Sequence, residues 1–178
     1  MGARLATLVA LEHPHLLRSL TVLEPPLDDL LDGLPEAQPV CDEWRKGFEA
    51  LRTRAQAGEV IRATKMFFEL ASNQGSGALE MQPEPFRQMV LDNARTVPLA
   101  LFAPRPPAFS CTTLDGVKAS TLVVGGAQSP RYLALINDAI AGCILGSRLV
   151  VISYASHLMS YENPAAFNKA LVDFLARQ

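Results

Sequence analysis

The most regular pattern in the chain is an alternation of apolar strands and amphipathic helices toward the C-terminus. Continuous apolar runs at 120–125 and 148–152 are typical of strands buried on both faces. The segment between them repeats apolar residues at helical spacing: Leu133, Ile136 and Ile140. A last helix is predicted after Asn163-Pro164, where a capping residue precedes a proline. Strands that alternate with helices predict a parallel sheet with helices on its faces.

The beginning of the chain predicts one helix followed by one strand. Apolar residues recur at helical spacing over residues 2–13. This helix is expected to end at His13, because Pro14 disfavours helical backbone in the residue before it. Residues 17–23 then form an apolar run that predicts a strand. The fold class is therefore α/β, with about three parallel strands at 17–23, 120–125 and 148–152.

The middle of the chain shows helical rather than strand patterns. Its apolar residues recur at helical spacing and are separated by proline and glycine, which predicts several short helices. We predict a core formed by residues 1–26 and 107–178, with residues 27–106 inserted as a helical cap.

Composition and charge narrow the classes of function. The 178 residues are 49% hydrophobic, which suits a compact globular chain and excludes a disordered one. The 16 basic and 18 acidic side chains are scattered, so the net charge of −2 forms no basic stripe. This excludes a nucleic-acid footprint and a polybasic membrane anchor. A small molecule or another protein is the expected partner.

Cysteine usage and hydropathy predict a cytoplasmic protein without a metal. Three widely spaced cysteines are interpreted as buried thiols in a reducing compartment: Cys41, Cys111 and Cys143. No apolar run approaches the ~18 residues that a membrane span needs. The run Leu5–Leu11 ends at Glu12 without a cleavage site. His13 and His15 lack acidic or thiol neighbours at ligand spacing, so we expect neither a metal site nor a cofactor.

The end of the chain carries a motif with chemical meaning. After the strand at 148–152 come Tyr154-Ala155-Ser156-His157 and then Glu162-Asn163-Pro164 before the last helix. This order resembles the C-terminal part of an α/β-hydrolase, where the catalytic histidine lies in such a loop. Tyr154 and Ser156 stand where that family has glycines. The resemblance implies that His157 is the general base of a hydrolase.

The start of the chain resembles the same family. Met1-Gly2-Ala3-Arg4-Leu5-Ala6 is similar to the residues that follow the serine of a Gly-x-Ser-x-Gly nucleophile elbow. On this alignment the nucleophilic serine would come directly before Met1, so we expect no nucleophile and no N-terminal half in this chain. Met1 would take the place of the residue whose backbone nitrogen donates to the oxyanion.

The acid that would orient His157 has two possible positions in the family. Ser129 stands where many members have an aspartate, and its better interpretation is a helix N-cap before Pro130. Other members, haloalkane dehalogenases among them, place the acid after the preceding strand, where this chain has Glu24. We therefore predict Glu24 as the acid, against the alternative of a solvated residue before a proline turn. Nearby carboxylates are interpreted as helix N-terminal charges: Asp28, Asp29 and Asp32.

The predicted cap is rich in large apolar side chains. The family lines its substrate pocket with such groups, which implies that four residues here line a pocket: Trp44, Phe48, Met66 and Phe67. The alternative is that they form the core of the cap. If they line a pocket, the substrate is apolar around its reacting bond.

Three functions are compatible with these features. The first is serine-hydrolase chemistry on a small apolar ester or lactone, through an acyl-serine intermediate in the complete form. The second is an inactive remnant that acts as a binding or oligomerising module, and the third is a haloalkane dehalogenase-like hydrolase with an aspartate nucleophile. We also expect a homodimer or higher association through the edge of strand 17–23, because an unpaired apolar edge seeks a partner.

Overall fold

The computed structural model describes residues 2–104 and 107–178. In chain order its elements are α1 (Gly2–Glu12), β1 (Ser19–Leu23), α2 (Gln38–Gln56), α3 (Val60–Ser72), α4 (Glu84–Asp92), α5 (Thr96–Phe102), α6 (Cys111–Leu114), β2 (Ser120–Gly126), α7 (Arg131–Cys143), β3 (Arg148–Ile152), α8 (Met159–Glu162) and α9 (Pro164–Leu175). Short 3₁₀ turns lie at Pro14–Leu16, Asp28–Leu31 and Pro35–Ala37. Within these described ranges, no helix combines the length and apolar character that a membrane span requires.

The described strands form one parallel sheet in the order β1-β2-β3. Leu23 lies beside Val124, and Gly126 lies beside Ile152, so the three strands end at the same edge. The α/β fold with three parallel strands is therefore confirmed. β1 begins later than predicted, at Ser19, because the Pro14–Leu16 turn comes first and its carbonyl at Pro14 accepts from Leu17 N–H.

One hydrophobic cluster packs α8 and α9 against the sheet. Its members are Leu122, Val124, Ile152, Ala155, Met159, Ala170 and Phe174. β2 is buried along nearly its whole length, as expected for a central parallel strand. α7 packs against β2 and β3 and buries the predicted apolar stripe. The helix α9 is capped as its sequence predicts, since Asn163 Oδ1 accepts from Ala166 N–H at 3.2 Å.

The described chain divides into two compact units. The first unit contains residues 2–38 and 107–178 and holds the sheet; the second contains residues 39–104 and is helical. Residues 27–38, which the prediction assigned to the cap, belong to the first unit, because α7 packs against the turn at Asp28–Leu31. β1 has no second partner strand within the described residues, and association through that edge stays a prediction.

The helical unit has its own core. Buried residues of α2, α3 and α5 form it: Leu51, Ala55, Ala63 and Leu101. α2 and α3 approach closely at Gly47, where an added Cβ would lie 3.0 Å from Leu70 Cδ1. An open groove of about 480 Å³ follows this contact and is lined in part by Met66.

Arg4 is a buried charge that joins three segments of the sheet unit. It is 4% exposed, and its guanidinium donates to the carbonyls of Pro26 at 2.9 Å and of Pro107. It also forms an ion pair with Asp29 at 3.3 Å and lies over the ring of Phe109. Asp29 is thus a buried partner of Arg4 and also accepts from Phe109 N–H. Arg4 therefore ties the chain just after β1 to the chain at Pro107, where the sheet unit resumes.

The prediction of three thiols is wrong. Cys111 and Cys143 form a disulfide that joins the start of α6 to the end of α7. The cysteines are 32 positions apart, so sequence spacing alone did not indicate that α6 packs against α7. Cys111 is exposed and Cys143 is half-buried, so neither is the buried thiol expected; Cys41 lies half-buried in α2.

Replacing Arg4 by alanine is expected to lower the free energy of unfolding by about 3 kcal/mol, because it removes a buried ion pair with Asp29 and the hydrogen bonds to two carbonyls. Urea denaturation followed by circular dichroism measures this loss. The matched control is Arg45→Ala, which removes an exposed pair with Asp42 and should cost less than about 0.5 kcal/mol. Equal losses in the two variants would contradict the structural role of Arg4.

Reduction of the Cys111–Cys143 bond is expected to lower the free energy of unfolding by about 3.5 kcal/mol, the size expected for a closed loop of this length. Urea denaturation with and without a reductant measures the difference. Alkylation of the denatured protein gives the control. We expect Cys41 alone to react before reduction, whereas reaction of all three cysteines would refute the bond.

Candidate active site

The geometry of a parallel sheet brings three loops to one edge. Glu24 directly follows β1, Gly126 is the last residue of β2, and His157 lies in the loop that follows β3. The carboxyl ends of neighbouring parallel strands meet, so residues far apart in sequence become neighbours there. The structure places two of the predicted site residues, Glu24 and His157, in contact, and their roles as catalytic acid and base stay a prediction.

The contact is a short hydrogen bond between a buried carboxylate and a partly exposed ring. Glu24 Oε2 lies 2.6 Å from His157 Nδ1, and the other oxygen, Oε1, accepts from Gly126 N–H at 2.9 Å. The Glu24 side chain is 1% exposed, whereas that of His157 is 37% exposed. Within the described residues, His157 makes no other hydrogen bond. The carboxylate therefore fixes Nδ1 and leaves Nε2 available for chemistry.

Glu24 adopts an unfavourable backbone conformation. Its φ of 41° lies in the left-handed region, where a non-glycine residue costs about 1–2 kcal/mol. The backbone is held there because Glu24 N–H donates to the Val124 carbonyl at 3.2 Å. Backbone strain of this kind concentrates at functional sites. The sharp turn points the carboxylate across the end of β2.

Two glycines at the end of β2 make room for the site. An added Cβ at Gly126 would overlap the carbonyl oxygens of Ala155 and Ser156, which belong to the histidine loop. An added Cβ at Gly125 would lie 2.5 Å from Asn137 Nδ2 and 3.4 Å from Glu24 Oε1. Both positions therefore exclude a side chain because other parts of the site lie against the backbone.

Asn137 is a polar residue among the apolar positions of α7. It is 3% exposed, and its buried Oδ1 has no hydrogen-bond partner among the residues that the structure describes. A buried unpaired oxygen costs about 1–3 kcal/mol. Gly125 admits this side chain to the neighbourhood of the Glu24 carboxylate.

The prediction that Ser129 caps a helix is wrong. Pro130 occupies the N-cap position of α7, and no side chain caps that helix. The Ser129 hydroxyl is buried, and no group in the described part of the chain forms a hydrogen bond with it. The N-cap position falls one residue later than the sequence pattern indicates, because the helix begins at Arg131 and not at Pro130.

The histidine loop is held by residues that the sequence analysis used only as a motif. Glu162 Oε2 accepts from Ser156 N–H at 2.5 Å, and Asn163 Nδ2 donates to the Ser153 carbonyl at 3.0 Å. The sequence signal for these contacts was a carboxylate and an amide a few residues after the loop histidine. Their bonds to the loop backbone became visible only in three dimensions.

The other predicted site residues lie elsewhere. In the helical unit, Trp44, Phe48 and Phe67 form a contiguous set, with ring centroids 5.4 Å and 6.1 Å apart across the two contacts. Phe48 and Met66 also pack against the core of that unit, and their role in a substrate pocket stays a prediction. Met1, the predicted oxyanion donor, lies outside the described residues. Within the described chain, no group of three or more His, Cys, Asp or Glu side chains could hold a metal ion.

Comparison with solved structures decides the fold. Similar structures include the carboxylesterase CesB (YbfK) from Bacillus subtilis, with a TM-score of 0.68 and 15% identity. MenH from S. aureus has a TM-score of 0.71 and 18% identity, and Est816, described as an N-acyl homoserine lactone degrading enzyme, has 0.68 and 21%. The chain has a partial α/β-hydrolase fold.

The α/β-hydrolase likeness covers most of this chain but only part of its relatives. The three alignments cover 99%, 98% and 97% of this chain, and 57%, 65% and 64% of CesB, MenH and Est816. The chain thus spans less than two thirds of their length. No family model matches the sequence, and no curated protein matches it significantly.

Replacing Gly126 by alanine is expected to lower the free energy of unfolding by about 1–3 kcal/mol, since the added methyl overlaps two carbonyls of the histidine loop in this α/β-hydrolase fold. Urea denaturation measures the change. Gly142→Ala is the matched control, because nothing lies within 4 Å of its added Cβ on α7. That variant should be neutral or more stable, and a Gly126→Ala protein as stable as wild type would show that the loop does not pack as described.

Proposed function

We propose that this chain supplies the histidine and the carboxylate of a serine hydrolase that cleaves small apolar esters or lactones. The observation that carries the proposal is the 2.6 Å bond between Glu24 Oε2 and His157 Nδ1. A buried carboxylate that holds one ring nitrogen and leaves the other available is the arrangement by which a histidine serves as general base. Structural neighbours that include a carboxylesterase and a lactone-degrading enzyme support the same class of reaction.

In the proposed reaction, His157 Nε2 accepts the proton of a serine hydroxyl while the serine oxygen attacks the carbonyl carbon of the substrate. Glu24 holds the ring in position and stabilises the positive charge that forms on it. His157 then returns the proton to the leaving alcohol, and an acyl-serine remains. The same histidine activates the water that hydrolyses this intermediate, so the serine is regenerated.

The nucleophile of the proposed reaction comes from outside the described residues. Within residues 2–104 and 107–178, His157 hydrogen-bonds Glu24 and no serine. The proposal therefore concerns a longer form in which a serine is presented to Nε2. The part of the chain described here contributes the base and the group that orients it.

Fluorophosphonate labelling, read by intact mass, tests this proposal. The probe is added to the 178-residue chain and to the chain extended by the upstream reading frame of its gene. We expect a stoichiometric adduct only in the extended form. The rate of labelling should fall about 10³–10⁴-fold in His157→Ala and Glu24→Gln, because either change removes the activated base.

The matched control is His15→Ala, which removes an exposed histidine and should label at the wild-type rate. An adduct on the 178-residue chain itself would place the nucleophile inside it and overturn that part of the proposal. Absence of both adduct and esterase activity from the extended form would instead support an inactive binding module. Halide release from a haloalkane without any adduct would support dehalogenation.

A further inference from the structure

The loop that carries His157 begins with an unfavourable backbone conformation at Tyr154. Tyr154 has a φ of 55° and is 83% exposed, so packing of its own side chain does not hold this left-handed conformation. The His157 ring is itself partly exposed. Its orientation therefore depends on how the backbone of the loop is fixed.

The chain after the histidine turns back and binds that backbone. α8 begins two residues after His157 and is anchored by Met159, which is 1% exposed in the sheet core. From the end of α8, Glu162 Oε2 accepts from the N–H of Ser156, the residue before the histidine. On the other side of the histidine, Leu158 N–H donates to Ser156 Oγ at 3.3 Å. The residues on either side of His157 are thus both held through their backbone N–H groups.

A second bond fixes the start of the loop. Asn163 Nδ2 donates to the carbonyl of Ser153, while Asn163 Oδ1 caps α9. This bond precedes Tyr154 directly and holds the chain as it enters the left-handed turn. Asn163 also serves the helix, so its removal would affect two features at once. Glu162, in contrast, bonds the residue directly before the histidine.

We infer that Glu162 is a positioning residue for His157. Its carboxylate fixes the Ser156 peptide and thereby holds the imidazole against Glu24. A hydrogen bond to a charged acceptor is stronger than one between neutral groups, and this one spans only the loop that presents the ring. The catalytic consequence rests on the proposed hydrolase function, whereas the position of the ring is measured without it.

Proton NMR of the 178-residue chain with ¹⁵N-labelled histidine tests the inference. A Nδ1–H that donates to a buried carboxylate gives a low-field signal that exchanges slowly with water, and loss of that signal in His157→Ala assigns it. In Glu162→Ala we expect its exchange with water to become about tenfold faster or the signal to disappear. We expect the same change of the signal in Glu162→Asp, because the shorter side chain does not reach Ser156 N–H.

Rescue by a conservative variant separates positioning from general stability. Glu162→Gln keeps a side-chain oxygen that accepts from Ser156 N–H, so the low-field signal should remain. Glu36→Ala removes an exposed carboxylate of the same unit and should leave the signal unchanged. The urea midpoint of each variant is recorded beside the spectrum to show that the fold is intact.

Two results would overturn the inference, and they differ in meaning. A wild-type signal in both Glu162→Ala and Glu162→Asp would show that Glu162 does not position the ring, and the hydrolase proposal would stand. Absence of the signal from the unaltered chain would show that Glu24 does not hold Nδ1, which removes the basis of both proposals.

Discussion

The Glu24 carboxylate is the interaction on which the described edge of the sheet depends. It lies almost fully buried and accepts from the end of β2 through Gly126 and from the loop after β3 through His157. A buried charge is tolerated only when hydrogen bonds replace the water it has lost. The three strand ends are therefore coupled, because each contributes a group that the others need. A parallel sheet supplies this coupling at its carboxyl edge and nowhere else along the strands.

Several features around the Glu24 carboxylate lower the stability of the fold, and a sheet edge without a functional site would not need them. Glu24 and Tyr154 both adopt left-handed backbone, and Asn137 buries an unpaired oxygen behind Gly125. Each of these features costs on the order of 1 kcal/mol or more. They are maintained because the central strand and the α9 face form a well-packed apolar cluster. The packing of this apolar cluster thus stabilises the unfavourable conformations at the carboxyl ends of the strands.

Sequence patterns predicted the sheet well because buried parallel strands leave a direct signature. The runs at 120–125 and 148–152 are continuous and apolar, and Asn163-Pro164 marks the start of α9. The motifs also identified Glu24 and His157 as candidates for the acid and the general base. What they missed depends on contacts between distant residues. The pairing of Cys111 with Cys143 needs α6 to lie against α7, and the bond from Glu162 to Ser156 depends on how α8 turns. The Ser129 cap failed on a shift of one residue at the helix start.

Arg4 has a consequence for how the chain tolerates change in length. Its guanidinium binds the carbonyls of Pro26 and Pro107, so two positions of the sheet unit that are far apart in sequence are tied to one residue of α1. The entropy of closing a loop between two fixed ends grows only slowly with loop length. Residues 27–38 belong to the sheet unit, so only the helical part at 39–104 is expected to tolerate a change in length while the sheet keeps its geometry. Arg4 thus helps the sheet unit to keep its geometry independently of the length of that helical part.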